Sequence, residues 1–334
     1  MYESEEVFLN RTQEAHIQYE ETRDFFDKCH KGEAFSGIDV EEETALLNDL
    51  ENDSLKHSND MIIELILQYV SESTKDEKLL KILNHLKIAS VIDDSSLIGR
   101  AYPKYSDGSY YIEMNRDMER RIRLLSDLFA VIFMRNENLE LEELITLNGL
   151  YYANLQRYKN NEEYNSQYNF IQLNMILCDK VIGNQFTDKY VAYAREIQEM
   201  ATAFFIGHEI GHHYYEHTTL KNSDSSNAPD TPLIDELKAD SYGIEFAFEY
   251  LKSAYKSEEN IYSIHQFAGI YIPLISSSYF CNDITKDTNK HPSIIKRMIL
   301  IQRTLNKLLD QAGFCQVKEY ILLLCKSIDF LPEY

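Results

Sequence analysis

The chain has 334 residues, of which 44% are hydrophobic, so it can bury a substantial core and does not belong to the disordered class. Its formal net charge is -22, and residues 1–60 contain 17 Asp or Glu against 5 Lys or Arg. An acidic surface of this kind repels phosphate backbones and anionic lipid headgroups, which argues against a nucleic-acid-binding or membrane-surface protein.

The first residues and the cysteines favour a cytoplasmic protein. Residues 1–16 carry acidic side chains where a signal peptide has a basic flank, and no apolar segment follows them. The cysteines are odd in number, far apart and never arranged as C-x-x-C, which is typical of reduced thiols packed as small apolar side chains. They are Cys29, Cys178, Cys281, Cys315 and Cys325.

Residues 1–95 are predicted to form an acidic helical region. Runs such as residues 60–73 and 76–90 place apolar side chains at helical spacing, and no chemical motif occurs among them. We expect this region to bind a regulatory partner or to inhibit the remainder of the chain, residues 96–334.

At the start of that remainder, the Asp107-Gly108 pair lies within residues 97–115 between Tyr- and Ile-containing flanks, which predicts a β-hairpin.

The segment 187–217 is predicted to be a helix with Thr187-Asp188 as its cap. Its apolar or aromatic side chains recur every three or four residues, and His208 and His212 lie on the same stripe. Residues four apart on one helical face can hold the same ion. With Glu209 between them they form H-E-x-x-H, an arrangement in which the histidines bind zinc and the glutamate acts as general base.

A second helix is predicted over residues 231–251, capped by Thr231. Asp240 falls on its apolar stripe and Glu236 borders that stripe one turn earlier. Buried carboxylates are costly unless they are paired or bind a metal. Glu236 is therefore the candidate third ligand, and Asp240 is a candidate to accept a hydrogen bond from a ligand histidine. The alternative for Asp240 is a salt bridge, with Arg303 or Lys307 as distant candidates.

Residues 261–282 contain no charged side chain, which raises the question of a membrane span. His265, Gln266, Pro273 and three consecutive serines interrupt the segment too often for about 20 spanning apolar residues. We therefore expect a buried core segment and no membrane span.

Three motifs occur in the order of a known group of peptidases: "HEIGHHYYEH", "ELKAD" and "HPSIIKR". With them the chain resembles the gluzincins, zinc peptidases with H-E-x-x-H and a downstream glutamate. Within that group it is most similar to the family of the CAAX prenyl protease and the heat-shock membrane peptidase. This resemblance implies zinc bound by His208, His212 and Glu236, with Glu209 as base and Asp240 supporting a ligand.

The resemblance also places His291 and Arg297 near the cleft, where an imidazole or a cation stabilises the tetrahedral oxyanion. The alternative is that Pro292 starts a helix, that His291 simply precedes it and that Arg297 pairs with an acidic side chain. His213 and His217 are interpreted as peripheral polar residues, because Glu236 already completes the ligand set.

The chain differs from that family in lacking the transmembrane helices of its membrane members and the signal peptide of its exported ones. It also resembles the Lit-type phage-exclusion peptidases of bacteria, which cut a host protein on infection.

We expect a mainly α (α+β) fold with a helical zincin-like domain and a small β element beside the active-site helix. The expected function is a zinc-dependent endopeptidase with a protein or peptide substrate. The alternatives are a defence or toxin effector that is inactive until triggered, and a non-catalytic interaction protein stapled by zinc.

Overall fold

Over the residues that the structure describes, the fold is mainly helical with one small sheet, which confirms the expected fold class. The computed structural model describes residues 62–91, 99–104, 108–115, 118, 121–123, 125–126, 129–130, 185–218, 231–255, 264–278, 283–289 and 291–308. The five cysteines and most of the acidic N-terminal region lie outside these residues, so the predictions made for them stay predictions.

The described chain begins with helix α1, residues 62–73, and helix α2, Glu77–Leu83. Asp76 caps α2, since its Oδ1 accepts hydrogen bonds from the backbone N–H groups of Lys78 and Leu79 at 2.8 and 3.1 Å. Strand β1, Leu86–Val91, follows at once. The prediction of helix through residue 90 is therefore wrong from residue 86 onward. Pairing with a distant strand overrides the local helical spacing there.

The sheet has three strands in the order β1-β3-β2, with β2 at Gly99–Ala101 and β3 at Tyr110–Asn115. β2 and β3 pair antiparallel, with Ala101 opposite Ile112, which confirms the predicted hairpin. Gly108, between these strands, has φ of 85°, a conformation that only glycine adopts at low cost. β1 pairs with β3 in parallel, which the sequence did not predict. The sheet therefore joins strands from both sides of residue 95.

Four helices follow in the described residues after 184: α3 at Gln185–Tyr214, α4 at Thr231–Ala254, α5 at Ile264–Ser278 and α6 at Ile294–Leu308. α3 is central, since it packs against α4 and α5 and also contacts α2, β2 and β3. α6 packs against α4 and α5. α3 begins two residues before the predicted cap at Thr187, so that cap prediction is wrong. The described residues between 118 and 130 are helical too.

The close crossing of α3 and α4 depends on two glycines. A Cβ on Gly207 would lie 2.7 Å from the Cβ of Phe246, and one on Gly243 would lie 2.7 Å from the carbonyl oxygen of Phe204. Neither distance is compatible with a side chain. The two helix backbones therefore approach closely just where α3 carries His208, which positions its ring against α4.

α5 occupies the uncharged segment that raised the membrane question. From His265 to Ser278 every described side chain except Ser277 is buried against the other helices. Within the described residues, no helix is both long and apolar enough to cross a bilayer. The expected core segment is confirmed.

Candidate metal centre

His208 and His212 project from consecutive turns of α3 toward one point. Their Nε2 atoms lie 3.2 Å apart. The His208 ring is buried and that of His212 is mostly so. The helical spacing of four residues produces this convergence directly, as the sequence predicted.

Glu236 reaches the same point from α4. Its Oε2 lies 3.6 Å from His208 Nε2, and its Oε1 lies 3.4 Å from His212 Nε2. Ligands bonded to a tetrahedral zinc ion at 2.0–2.2 Å lie about 3.3 to 3.6 Å from one another. The measured separations of 3.2 to 3.6 Å are close to these values, with each oxygen of Glu236 facing one histidine, and two imidazoles with a carboxylate are a donor set that zinc accepts. The three residues could therefore hold a metal ion.

Electrostatics keep Glu236 ionised. Burial alone would raise its pKa, but contacts with His212 and His291 and the charges of His208 and Arg297 hold the pKa well below its usual range. For His212, burial would lower the pKa, yet Glu236, Glu209 and Asp240 outweigh it and the pKa is raised. The site is thus a concentration of negative charge around two imidazoles, which favours a cation.

Asp240 lies behind His208 and is fully buried. Its Oδ1 accepts a hydrogen bond from His208 Nδ1 at 2.9 Å. Arg297 of α6 donates to both of its oxygens, from Nε to Oδ2 at 2.7 Å and from Nη2 to Oδ1 at 2.6 Å. Burial would raise the Asp240 pKa, but Arg297 and His208 hold it below its ordinary value. The cationic partner of Asp240 is thus Arg297, a residue nearer the start of α6 than Arg303 or Lys307.

His291 and Arg297 both lie at the site, in different positions. His291 Nδ1 is 3.1 Å from Glu236 Oε2, and the His291 side chain is 45% exposed. The Arg297 side chain is largely buried and held in two hydrogen bonds by Asp240. The sequence left two alternatives open: that both residues lie near the cleft, or that His291 simply precedes a helix and Arg297 pairs with an acidic side chain. In the structure Arg297 does pair with an acidic side chain, Asp240, whereas the partly exposed His291 lies beside the carboxylate of Glu236.

Glu209 faces the sheet. Its side chain is buried, and a Cβ on Gly99 would lie 3.3 Å from Glu209 Oε1 and 2.4 Å from Phe205 Cζ. The absence of a side chain on Gly99 therefore lets β2 approach the H-E-x-x-H segment. The Glu209 charge also contributes to the raised pKa of His212. The Glu209 carboxylate thus lies close to β2 and influences the pKa of His212.

His213 and His217 have defined contacts that the sequence did not predict. His213 is buried, and its Nε2 donates to the carbonyl oxygen of Tyr111 in β3 at 3.0 Å. Burial lowers its pKa to about 4, so the ring is neutral at pH 7. His217 Nδ1 lies 3.2 Å from His212 Nδ1. The expected peripheral position is therefore wrong for His213, and the five-residue interval from His212 was the only signal for His217.

Comparison with known proteins points to one class of enzyme. A family model described as Peptidase U49 matches residues 161–314, a range that covers less than half of the chain but holds every candidate site residue. The match supports a peptidase function. No curated protein and no solved structure matches the chain.

Proposed function

We propose that this chain is a zinc-dependent endopeptidase acting on an intracellular protein. The observation that carries the proposal is the convergence of the His208, His212 and Glu236 side chains, whose facing nitrogen and oxygen atoms lie 3.2 to 3.6 Å apart, with Glu209 adjacent to His208 in the chain. The match of residues 161–314 to Peptidase U49 supports the same class of reaction. A catalytic zinc site uses three protein ligands and leaves one position open.

His208, His212 and Glu236 would hold the zinc ion, which when bound lowers the pKa of a water molecule toward about 7 and polarises the substrate carbonyl. Asp240 fixes the tautomer of His208: by accepting from Nδ1–H it leaves the Nε2 lone pair directed at the ligand position. Arg297 neutralises Asp240 and so acts through it as a positioning residue.

Glu209 would act as the general base. It takes the proton of the attacking water and returns it to the leaving amine, the role of the glutamate in H-E-x-x-H. Its buried carboxylate lies close to Gly99, so the proposed base adjoins strand β2. Among the described strands β2 pairs only with β3, so its other edge is a candidate to bind an extended peptide.

His291 is the candidate to stabilise the oxyanion. It is the more exposed of the two residues of the H-P-x-x-x-x-R motif at the site, and its ring adjoins the ligand carboxylate. An imidazole N–H there would donate to the negative oxygen that develops during attack. Arg297 is already bonded through two nitrogens to Asp240, so the structure favours His291 over Arg297 for this role.

Replacement of Glu209 by Gln tests the proposal. We expect E209Q to keep the zinc content and unfolding temperature of the wild type and to lose cleavage by a factor of about 10² to 10⁴, because only the proton transfer is removed. Zinc is measured by elemental analysis and cleavage by N-terminal mapping of host proteins. E245Q, an exposed change on α4, is the control and should cleave normally. Wild-type cleavage by E209Q, or a wild type free of zinc, would refute the proposal.

The same experiment separates the alternatives. A structural zinc site is closed by four protein ligands, whereas among the described residues three form the candidate cluster. A wild type that binds zinc but cleaves nothing would favour the zinc-stapled interaction protein. The Lit-type peptidases belong to the U49 family, which favours a defence effector activated by infection. Mapping before and after phage infection distinguishes the two modes, because cleavage at equal rates in both would contradict a trigger.

A further inference from the structure

Like His208, His212 has a carboxylate on the side away from the proposed metal, but here the ring of His217 lies between the histidine and the carboxylate, Asp235. We propose that His217 and Asp235 form a positioning pair that orients His212 for metal binding. This inference rests on the proposed zinc site and adds two residues to it. Neither is a member of H-E-x-x-H or of the ligand set.

The contacts form a continuous line away from the ligand atom. His212 directs Nε2 toward His208 and Glu236, and its opposite nitrogen, Nδ1, lies 3.2 Å from His217 Nδ1. His217 Nε2 in turn lies 3.3 Å from Asp235 Oδ1. The side chain of His217 is 8% exposed and that of Asp235 is 16% exposed, so neither group is freely solvated.

The protonation pattern along this line is determined by its first member. A histidine that binds metal through Nε2 carries its hydrogen on Nδ1. The Nδ1–H of His212 must then donate to the lone pair of His217 Nδ1, which leaves the hydrogen of His217 on Nε2, facing Asp235. Each hydrogen thus has a matching acceptor or a neighbouring negative charge. The arrangement holds His212 in the tautomer and ring orientation that a metal needs.

His217 is not a fourth ligand in this arrangement. It contacts His212 through the nitrogen on the far side of the ring from His208 and Glu236. An ion bound at Nε2 of His212 would therefore be separated from His217 by the whole imidazole ring. The role that remains for His217 is to orient the ligand.

The end of α3 explains why this partner occurs five residues after the ligand. The N–H of His217 bonds to the carbonyl oxygen of His212 at 2.9 Å, and that of Glu216 bonds to the carbonyl oxygen of His213 at 3.1 Å. These two bonds define the Schellman motif, which folds the chain back over the last helical turn. The motif returns the side chain of His217 to the level of His212.

Helix α4 supplies the other half of the pair. Asp235 immediately precedes Glu236, so consecutive residues of α4 contact His217 and bind the proposed metal. Both ligand histidines are then anchored to carboxylates of α4, His208 directly by Asp240 and His212 through His217 by Asp235. Loss of such an outer partner typically lowers metal affinity 10- to 100-fold.

The test measures metal affinity rather than catalysis. Zinc binding by the metal-free full chain is titrated in competition with a chelator for the wild type, H217F and H217N. We expect H217F, which keeps the ring volume but has no acceptor, to bind zinc about 10- to 100-fold more weakly. H217N should recover part of the loss, because its Oδ1 can replace Nδ1 as acceptor. The visible absorption of the Co²⁺ form should shift in H217F and return toward the wild type in H217N.

H265N is the control, since His265 is also a buried histidine paired with a carboxylate, Glu196, on α3. It should leave zinc affinity unchanged. Equal affinities of the wild type, H217F and H217N would overturn the inference while leaving the zinc site standing. A wild type that binds no zinc would overturn the proposed function and this inference together. If H217F does not fold, D235N takes its place, and unchanged affinity in D235N and H217N would overturn the inference.

Discussion

The two histidines proposed as metal ligands, His208 and His212, lie one turn apart on the same helix, yet their surroundings differ. His208 faces a fully buried carboxylate that Arg297 neutralises with two hydrogen bonds. His212 faces the ring of His217, and the carboxylate behind that ring, Asp235, is partly exposed. An unpaired charge is costly only where water is excluded, so the buried Asp240, on the interior side of the site, requires a full ion pair. Asp235, on the outer side, does not require one, because it is partly exposed to solvent.

The largest effect should follow from removing the cation on the interior side. R297M leaves the buried Asp240 without its arginine, with only the hydrogen bond from His208, and we expect a loss of about 3–5 kcal/mol in the free energy of unfolding. Urea unfolding of the metal-free chain measures it. K296M is the matched control on the same helix, because the Lys296–Asp287 pair is exposed, and its midpoint should stay within experimental error. If the urea midpoint of R297M were also within experimental error of the wild type, Asp240 would not need its cationic partner.

A third histidine of α3, His213, is buried and should make the stability of the protein depend on pH. The pKa of His213 is lowered by burial to about 4, below its ordinary value near 6.5. Between those values the unfolded chain binds a proton that the folded chain does not. This contribution to stability is therefore complete above pH 6.5 and is lost as the pH falls to about 4. From the size of the shift the loss is about 3 kcal/mol.

The variant H213Q removes this titration while keeping an N–H that can donate to the carbonyl oxygen of Tyr111. Stability of the metal-free chain should then fall less steeply between pH 6.5 and 4 than in the wild type. The pKa of His212 is raised, so its contribution has the opposite sign and is lost as the pH rises. Since His212 is present in both proteins, the difference between the two curves isolates His213. Identical slopes would mean that the ring of His213 titrates normally.

The local part of the site was predictable from the sequence, and the parts that depend on long-range packing were not. A spacing of four residues is sufficient to bring His208 and His212 together, and an apolar stripe is sufficient to indicate Glu236 and Asp240. The choice of Arg297 as the partner of Asp240 depends on how α6 packs against α4, and no periodicity encodes that contact. β1 was missed for the same reason, because its helical spacing is overridden by pairing with β3.

The contacts of His217 were not predicted because the turn that places its side chain lacks the usual glycine. The Schellman motif normally has glycine at the position in the left-handed region, and here Glu216 occupies it with φ of 60°. Nothing in the sequence therefore indicates that the chain folds back at residue 216. The outer support of the site thus depends on a residue held in a conformation that a non-glycine residue adopts only at a cost of about 1 kcal/mol.

The smallest predicted effect follows from relieving that conformation. E216G should raise the free energy of unfolding by about 0.5 kcal/mol, because glycine adopts the left-handed region without strain although it also loosens the unfolded chain. Zinc affinity should stay unchanged, since the motif that positions His217 is retained. E216A separates the causes: it removes the weak contact with Lys78 at 3.6 Å but keeps a Cβ in the strained position. Thermal unfolding measures both variants. Equal stability of E216G and E216A would mean that the backbone at residue 216 is not strained. A gain in stability confined to E216G would show that the turn holds His217 in place at an energetic cost.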